Sequence, residues 1–381
     1  MAWASRTAWP VAEGGPRVVV VGGGVLGVST AAHLVDRGAD VTLVTDGALG
    51  SGASGRSLSW LNSFAQRSAD YHRLRLAGLE RYRALAVRAG SPPWLRFDGG
   101  LAWAAPGEAQ HHREAFEHMR GVGYAAEWVT RDDVAARFPG VDPAAVPDEG
   151  AVATPDEGWV DLPSVIDHLG DRVRAGGGQV LTGAGPARVV VTGDRATGVR
   201  LPSGDVLGAD VVVLATGADV PATVAGLGVT VPDATTPALL VRTRPVAGGL
   251  RAVLNTPRVA VRPAPGGALV VDAGWAEREV VARDDGGFDV RDSTVEGLLQ
   301  EAAAVLSGPA PEPESWGAGR KPIPGDGEPV LGPVPGVRGL VVAFTHSGAT
   351  LGLVAGELLA DEVVDAQPSP LLARFRPDRF A

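Results

Sequence analysis

An α/β fold, a doubly wound parallel sheet with a second domain set into it, is predicted by three features of the sequence. The first is a strand, a glycine-rich turn, a helix and another strand in direct succession near the N-terminus. The second is the alternation of apolar strands with helices over residues 16–65, 150–220 and 335–365. The third is the loss of that alternation over 92–149 and 226–318, where strands are shorter and joins are rich in proline. A chain of 381 residues, 45% of them apolar, can bury the cores of two domains.

The opening unit begins at Arg17. Four valines, Val18 to Val21, read as a buried parallel strand. Gly22-Gly23-Gly24-Val25-Leu26-Gly27 follows, then apolar residues near helical spacing (Ala31, Ala32, Leu34, Val35), a stop at Gly38, and a second strand, Val41 to Val44. Gly22 permits a sharp turn, Gly24 lets a pyrophosphate approach the backbone, and Gly27 lets the helix pack on the strand. The helix N-terminus turns unpaired N–H groups toward the phosphates. This is a dinucleotide-binding βαβ unit. The acid expected on the ribose hydroxyls is Asp46, with Thr45 beside it, although Asp46 could instead cap the following turn.

The next segment points to the longer of the dinucleotides. Gly50-Ser51-Gly52-Ala53-Ser54-Gly55-Arg56-Ser57 offers backbone amides, three hydroxyls and a guanidinium directly after the ribose strand. That suits a second set of pyrophosphate and ribityl contacts, which FAD requires. Further on, Tyr71 to Arg88 reads as a helix packing Leu76, Leu79, Tyr82 and Leu85, with its arginines in solvent. Thr130 and Asp133 have capping-box spacing. Asp161 caps a helix running toward Arg174 and stopping at Gly176. Ala187 to Thr192 and Ala196 to Leu201 read as a strand pair before the Val211 strand. Thr345 to Thr350 is a loop before an apolar helix, Leu351 to Val364.

Composition excludes other classes. The chain has no cysteine, which removes disulfides, thiolate metal sites, cysteine nucleophiles and thioether tethers. A formal charge of −10 without a long basic run argues against nucleic acid or anionic membrane as partner. No apolar stretch is long enough to span a bilayer. Residues 1–15 read as a flexible leader without the apolar core of a secretory signal, so a cytoplasmic location is expected. His111, His112 and His118 share a helix with Glu114, but read as a solvated face and not as a metal site.

Taken together, these motifs resemble the D-amino-acid oxidase, glycine oxidase and sarcosine oxidase family of FAD-dependent oxidoreductases. The resemblance runs over nearly the whole chain after the leader. It is carried by Ser57-Leu58-Ser59-Trp60-Leu61-Asn62, by Gly158-Trp159-Val160-Asp161, and by Asp210 to Ala218, ending in Thr216-Gly217-Ala218. Lys321-Pro322-Ile323-Pro324-Gly325-Asp326-Gly327-Glu328-Pro329 and Thr345-His346-Ser347-Gly348-Ala349-Thr350-Leu351-Gly352 complete it. It implies a Rossmann-like FAD-binding domain (16–91, 150–225 and 319–381) and a discontinuous, mixed antiparallel-sheet substrate domain (92–149 and 226–318).

The expected FAD contacts are Gly22, Gly24, Val25, Leu26, Gly27, Thr45, Asp46, Ser51, Gly52, Ala53, Ser54, Arg56 and Ser57. To these are added Ala187, Thr216, Gly217, His346, Ser347, Gly348, Ala349 and Thr350. With no cysteine, and no histidine in the second FAD segment, the flavin is expected to be non-covalent. The implied reaction oxidises the C–N bond of an amino acid or small amine to an imine by hydride transfer to flavin N5, with oxygen as acceptor. A hydroxy-acid dehydrogenase or a monooxygenase is the alternative.

His346 is either a packed histidine or a direct contact to flavin or substrate. Trp60, Arg320 and Lys321 are the substrate-binding candidates, and Lys321 and His346 the catalytic ones. Lys321, the only lysine among 34 basic residues, stands where the glycine and D-amino-acid oxidases carry a carboxylate-clamping arginine. Lysine binds a carboxylate as a point charge and can lose its proton in a dry pocket. It is therefore expected to hold a carboxylate differently, to mark another substrate, to assist oxygen reduction, or to be an ordinary surface lysine.

Overall fold

The computed structural model describes residues 15–381. The expected leader lies outside the described residues except for Gly15. A six-stranded sheet runs in the order Val330–Pro333, Leu340–Phe344, Val211–Leu214, Arg17–Val21, Asp40–Val44, Gln179–Leu181. Its strands are parallel apart from the antiparallel edge strand Val330–Pro333. The valine run pairs on both sides, Val18 with Val41 and Val211, and is buried on both faces. That double burial is why it shows no polar alternation.

Helices Val25–Asp36 and Gly348–Asp365 pack together on one face, with Ala69–Arg88 and Leu162–Ala175 beside them. On the other face lies an antiparallel sheet of Arg188–Thr192, Arg195–Arg200 and Val206–Gly208. Asp161 caps Leu162–Ala175 by accepting from the Ser164 amide, and Thr130 and Asp133 form the expected capping box. The C-terminal helix starts at Gly348, one turn earlier than the sequence suggested. Gly348, Ala349 and Thr350 are thus its first turn.

The second sheet has eight strands, with Pro313–Lys321 at one edge followed by Thr236–Thr243, Leu269–Asp272, Ala260–Pro263 and Val253–Asn255. Gly100–Ala102, Ala151–Thr154 and Glu127–Val129 complete it. Its pairs are antiparallel except Val253–Asn255 with Gly100–Ala102. Ala151–Thr154 comes from a stretch that the sequence reading gave to the first domain. The edge strand continues past residue 318 to Lys321. Among the described residues, no helix is long and apolar enough to cross a membrane.

The Ala69–Arg88 helix departs from its sequence reading. Its buried face includes Tyr71, Leu74, Arg75, Gly78, Leu79, Tyr82 and Leu85, whereas Leu76 is only half-buried. Arg75 is therefore on the packed side. The reason is polar: Arg75 spends its donors inside the molecule, as the site shows.

Candidate functional site

One cleft of about 1380 Å³ runs between the two large sheets. That exceeds the span usual for one small ligand and leaves room for an extended dinucleotide with a substrate beside it. Every candidate residue named from the sequence lines it except Gly27.

Gly27 lies beneath the loop, where a Cβ would stand 2.0 Å from the Gly22 carbonyl oxygen. Gly22 has φ +123°, and its Cβ would stand 2.2 Å from the Ala215 oxygen. Both positions demand glycine for lack of space, and Gly22 for its backbone angle as well. The helix that follows has no side-chain cap at Gly24 and no acid in its first turn. Its N–H groups and dipole are thus left for an anion, with Ser54 Oγ accepting from the Val25 amide at 3.1 Å.

Thr45 is buried against Gly23, whereas Asp46 is exposed at the cleft wall. Arg56 folds its own loop by donating to the Ser51 and Gly52 carbonyls. Ala187 enters from the joint before Arg188–Thr192. Thr216 and Gly217 follow the central strand Val211–Leu214, and Thr216 Oγ1 is buried without a protein partner.

The C-terminal helix brings its first turn to the same cleft, and Arg75 fixes it there. Arg75, 3% exposed, donates from Nε to the Asn62 carbonyl at 2.8 Å and from Nη2 to Asn62 Oδ1 at 2.9 Å. Its Nη1 donates to Oγ of Ser347, the residue at the N-cap position just before the helix. Tyr71 OH and Ser347 Oγ are 2.6 Å apart. No carboxylate of the described residues pairs with Arg75. A helix N-terminus and a buried cation therefore give this end of the cleft a positive potential, suited to a group that gains negative charge.

His346 is exposed on the open cleft. Desolvation by the protein mass around it, with the cations Lys321, Arg75 and Arg67 nearby, pushes it down to about 4, so it is neutral at pH 7.

The facing wall belongs to the eight-stranded sheet. Lys321 Nζ pairs with Glu277, and Arg320 pairs with Asp219 and the Ala218 carbonyl. Neither cation is left unpaired for a ligand. Asp272 stands beside this pair, pushed up to about 7 by burial and by Glu277. Trp60 reaches the cleft from the short strand Trp60–Leu61, its ring 5.5 Å from that of Phe64. Behind it, fully buried Glu157 accepts from Thr154 Oγ1 at 2.8 Å and from Tyr124 OH, and burial pushes it up to about 7.

Arg67, Arg75, Asp272 and Glu277 line the cleft but were not among the residues expected from sequence. Of these only Arg75 carried a signal: it falls at helical spacing among Tyr71, Leu79 and Tyr82, on the apolar stripe. The three helical histidines form no site. Among the described residues no group of three or more metal-ligating side chains occurs.

The family of FAD dependent oxidoreductases denoted DAO matches residues 17–362, and the chain belongs to that family. It is 28% identical over 374 residues to glycine oxidase from Geobacillus kaustophilus (strain HTA426), covering 94% of this chain and 95% of the relative. Two solved structures share its fold. L-amino acid deaminase from Proteus myxofaciens, in complex with anthranilate, has a TM-score of 0.82 at 19% identity, over 99% of this chain and 96% of that one. Glycine oxidase from Bacillus cereus ATCC 14579 has a TM-score of 0.77 at 20% identity, over 94% and 97%. The glycine cradle, the uncapped helix start and the orphaned Thr216 hydroxyl fit the FAD on which the family depends.

Proposed function

We propose that the protein oxidises the C–N bond of an amino acid or small amine to an imine. The bound FAD would take the hydride at N5 and pass the electrons to oxygen. The observation that carries this reading is the pairing of two unlike walls in one cleft, a backbone cradle with positive potential and a facing cluster of ionisable side chains. FAD would be held by the Gly22–Gly27 loop, the Ser51–Ser57 loop, Thr216, Gly217 and the first turn of the C-terminal helix. Non-covalent attachment is supported by the lack of cysteine together with the absence of histidine from the second FAD segment, Ser51 to Asn62.

The chain's own residues supply binding, orientation and proton handling. Trp60 and the second sheet close the substrate side against water. An ammonium must lose its proton before its carbon can give up hydride. Asp272, poised near neutrality, is the carboxylate we assign to take that proton at Oδ. His346 stays uncharged and serves as a hydrogen-bonding wall. Lys321, held by Glu277, sets the field around Asp272 and does not clamp an anion.

The test is direct. The purified protein is expected to be yellow, to release its flavin into the supernatant on acid precipitation, and to bleach anaerobically with a member of an amino-acid and amine panel. With air it should yield hydrogen peroxide. A colourless protein that takes up no FAD ends this reading, as does bleaching by NAD(P)H or by hydroxy acids alone.

A further inference from the structure

We infer that Arg67 is the residue that anchors the carboxylate of the substrate, and that the substrate is accordingly an amino acid and not a simple amine. This rests on the function proposed above. The two cations that sequence position would favour are already paired, Lys321 with Glu277 and Arg320 with Asp219. Arg75 is buried, with its donors on Asn62, Ser347 and Thr350, so it adds field but offers no free N–H edge. His346 is neutral.

Arg67 differs from all of these. It lines the same cleft, no carboxylate of the described residues pairs with it, and its Nε is buried without a hydrogen-bond partner. Arg67 is half-buried, and a guanidinium whose Nε is held from water without a partner is costly unless an anion completes it.

Its placement is also fixed. Arg67 precedes Ser68, which caps the Ala69–Arg88 helix by accepting from the Tyr71 amide at 3.3 Å and donates to Glu328 at 2.5 Å. The guanidinium carbon lies 5.4 Å from the centre of the Tyr71 ring, which also carries Arg75 at 5.5 Å. Stacking holds the planar group and leaves its N–H edge free, the geometry in which arginine takes both oxygens of a carboxylate. Asp272 and Glu277 supply negative charge elsewhere in the cleft, where an ammonium could lie. Such a cleft is polarised as a zwitterion is.

The experiment compares the amino acid that best bleaches the holoenzyme with the amine lacking only its carboxyl group. Anaerobic flavin reduction yields the apparent dissociation constant and the limiting rate separately. A second, equilibrium reading is the visible spectrum of the oxidised holoenzyme titrated with the corresponding 2-oxo acid. Arg67→Met is expected to weaken the amino acid and the 2-oxo acid by about thirtyfold or more, while leaving the decarboxylated amine within about threefold. Arg67→Lys should restore part of the affinity, as a point charge would. Retained flavin and an unchanged melting temperature show that the variants are folded.

Equal binding of the 2-oxo acid by wild type and Arg67→Met overturns the inference. So does a wild type that prefers the amine, or a preference that vanishes with Lys321→Met and survives Arg67→Met. In each of these cases the flavin still bleaches with an amine or amino acid, so the proposed reaction stands. A flavin that no member of the panel reduces removes that reaction, and the assignment of Arg67 with it.

Discussion

Where the parallel sheet meets the cleft, the surface is backbone: glycines, small residues and the N-terminal turns of two helices. Where the eight-stranded sheet meets it, the surface is side chain: Asp272, Glu277 and Lys321, whose charges hold one another in check. The first wall recognises what every member of such a family must bind, and does so chiefly with backbone groups and hydroxyls that do not ionise. The second is free to differ, because a change there alters charge and shape without disturbing a turn. The contrast separates a wall that breaks sterically from one that retunes electrostatically.

The sharpest break should come at Gly22. Gly22→Val places a branched side chain against the Ala215 carbonyl at a backbone angle that β-branched residues avoid. We expect loss of bound flavin and a stability cost of about 3 kcal/mol, read by flavin absorbance and denaturant titration. Bound flavin at wild-type occupancy would show that the cradle tolerates volume.

On the other wall the expected effect is kinetic. Asp272→Asn should lower kcat/KM about a hundredfold without flavin loss. In the wild type, activity should rise as pH rises through about 7, since the ionised carboxylate is the acceptor. Glu277→Gln removes the negative neighbour that holds Asp272 up, so the inflection should move to lower pH. An inflection that stays in place in both variants would take the proton from Asp272.

The smallest effect lies behind the cleft. Glu157 ionises near 7 in the folded chain against 4.5 as a free carboxyl group, so the folded state holds a proton that the unfolded state lacks between those values. Wild-type stability from this group is therefore lost as pH rises through that window. Glu157→Gln has no such dependence, and its melting temperature relative to wild type should climb from pH 4.5 to 7, by the equivalent of about 2.5 kcal/mol. A difference constant with pH would mean that Glu157 ionises normally.

The two walls also differ in how far they could be read from sequence. The cradle was legible because its parts adjoin in the chain: strand, glycines and helix specify one another within Arg17–Val44. The C-terminal turn was legible only through its resemblance to a family motif. Asp272, Glu277 and Lys321 meet because Leu269–Asp272 and Pro313–Lys321 both flank Thr236–Thr243. Nothing local in the chain encodes that neighbourhood. Arg67 was hidden differently, since one arginine among 33 carries no compositional signal. Arg75 was missed by reading its helix as solvated, although its spacing put it on the buried stripe. Lys321 was visible as an exception, but its partner Glu277 was not, and the partner decides what the lysine can do.

Gly317 and Gly319, on the edge strand that carries Lys321, lie against Arg56 of the Ser51–Ser57 loop. A Cβ at Gly319 would come within 2.9 Å of the Arg56 side chain, and one at Gly317 within 3.2 Å. This seam is a constraint on anyone refitting the enzyme to a new substrate. The second sheet can be redecorated along most of its length, but bulk added at either position would push on the arginine that shapes the adjoining loop. Libraries aimed at altered selectivity should leave both positions and Asp272 untouched and vary Asn255 and Glu277, which also line the cleft, instead.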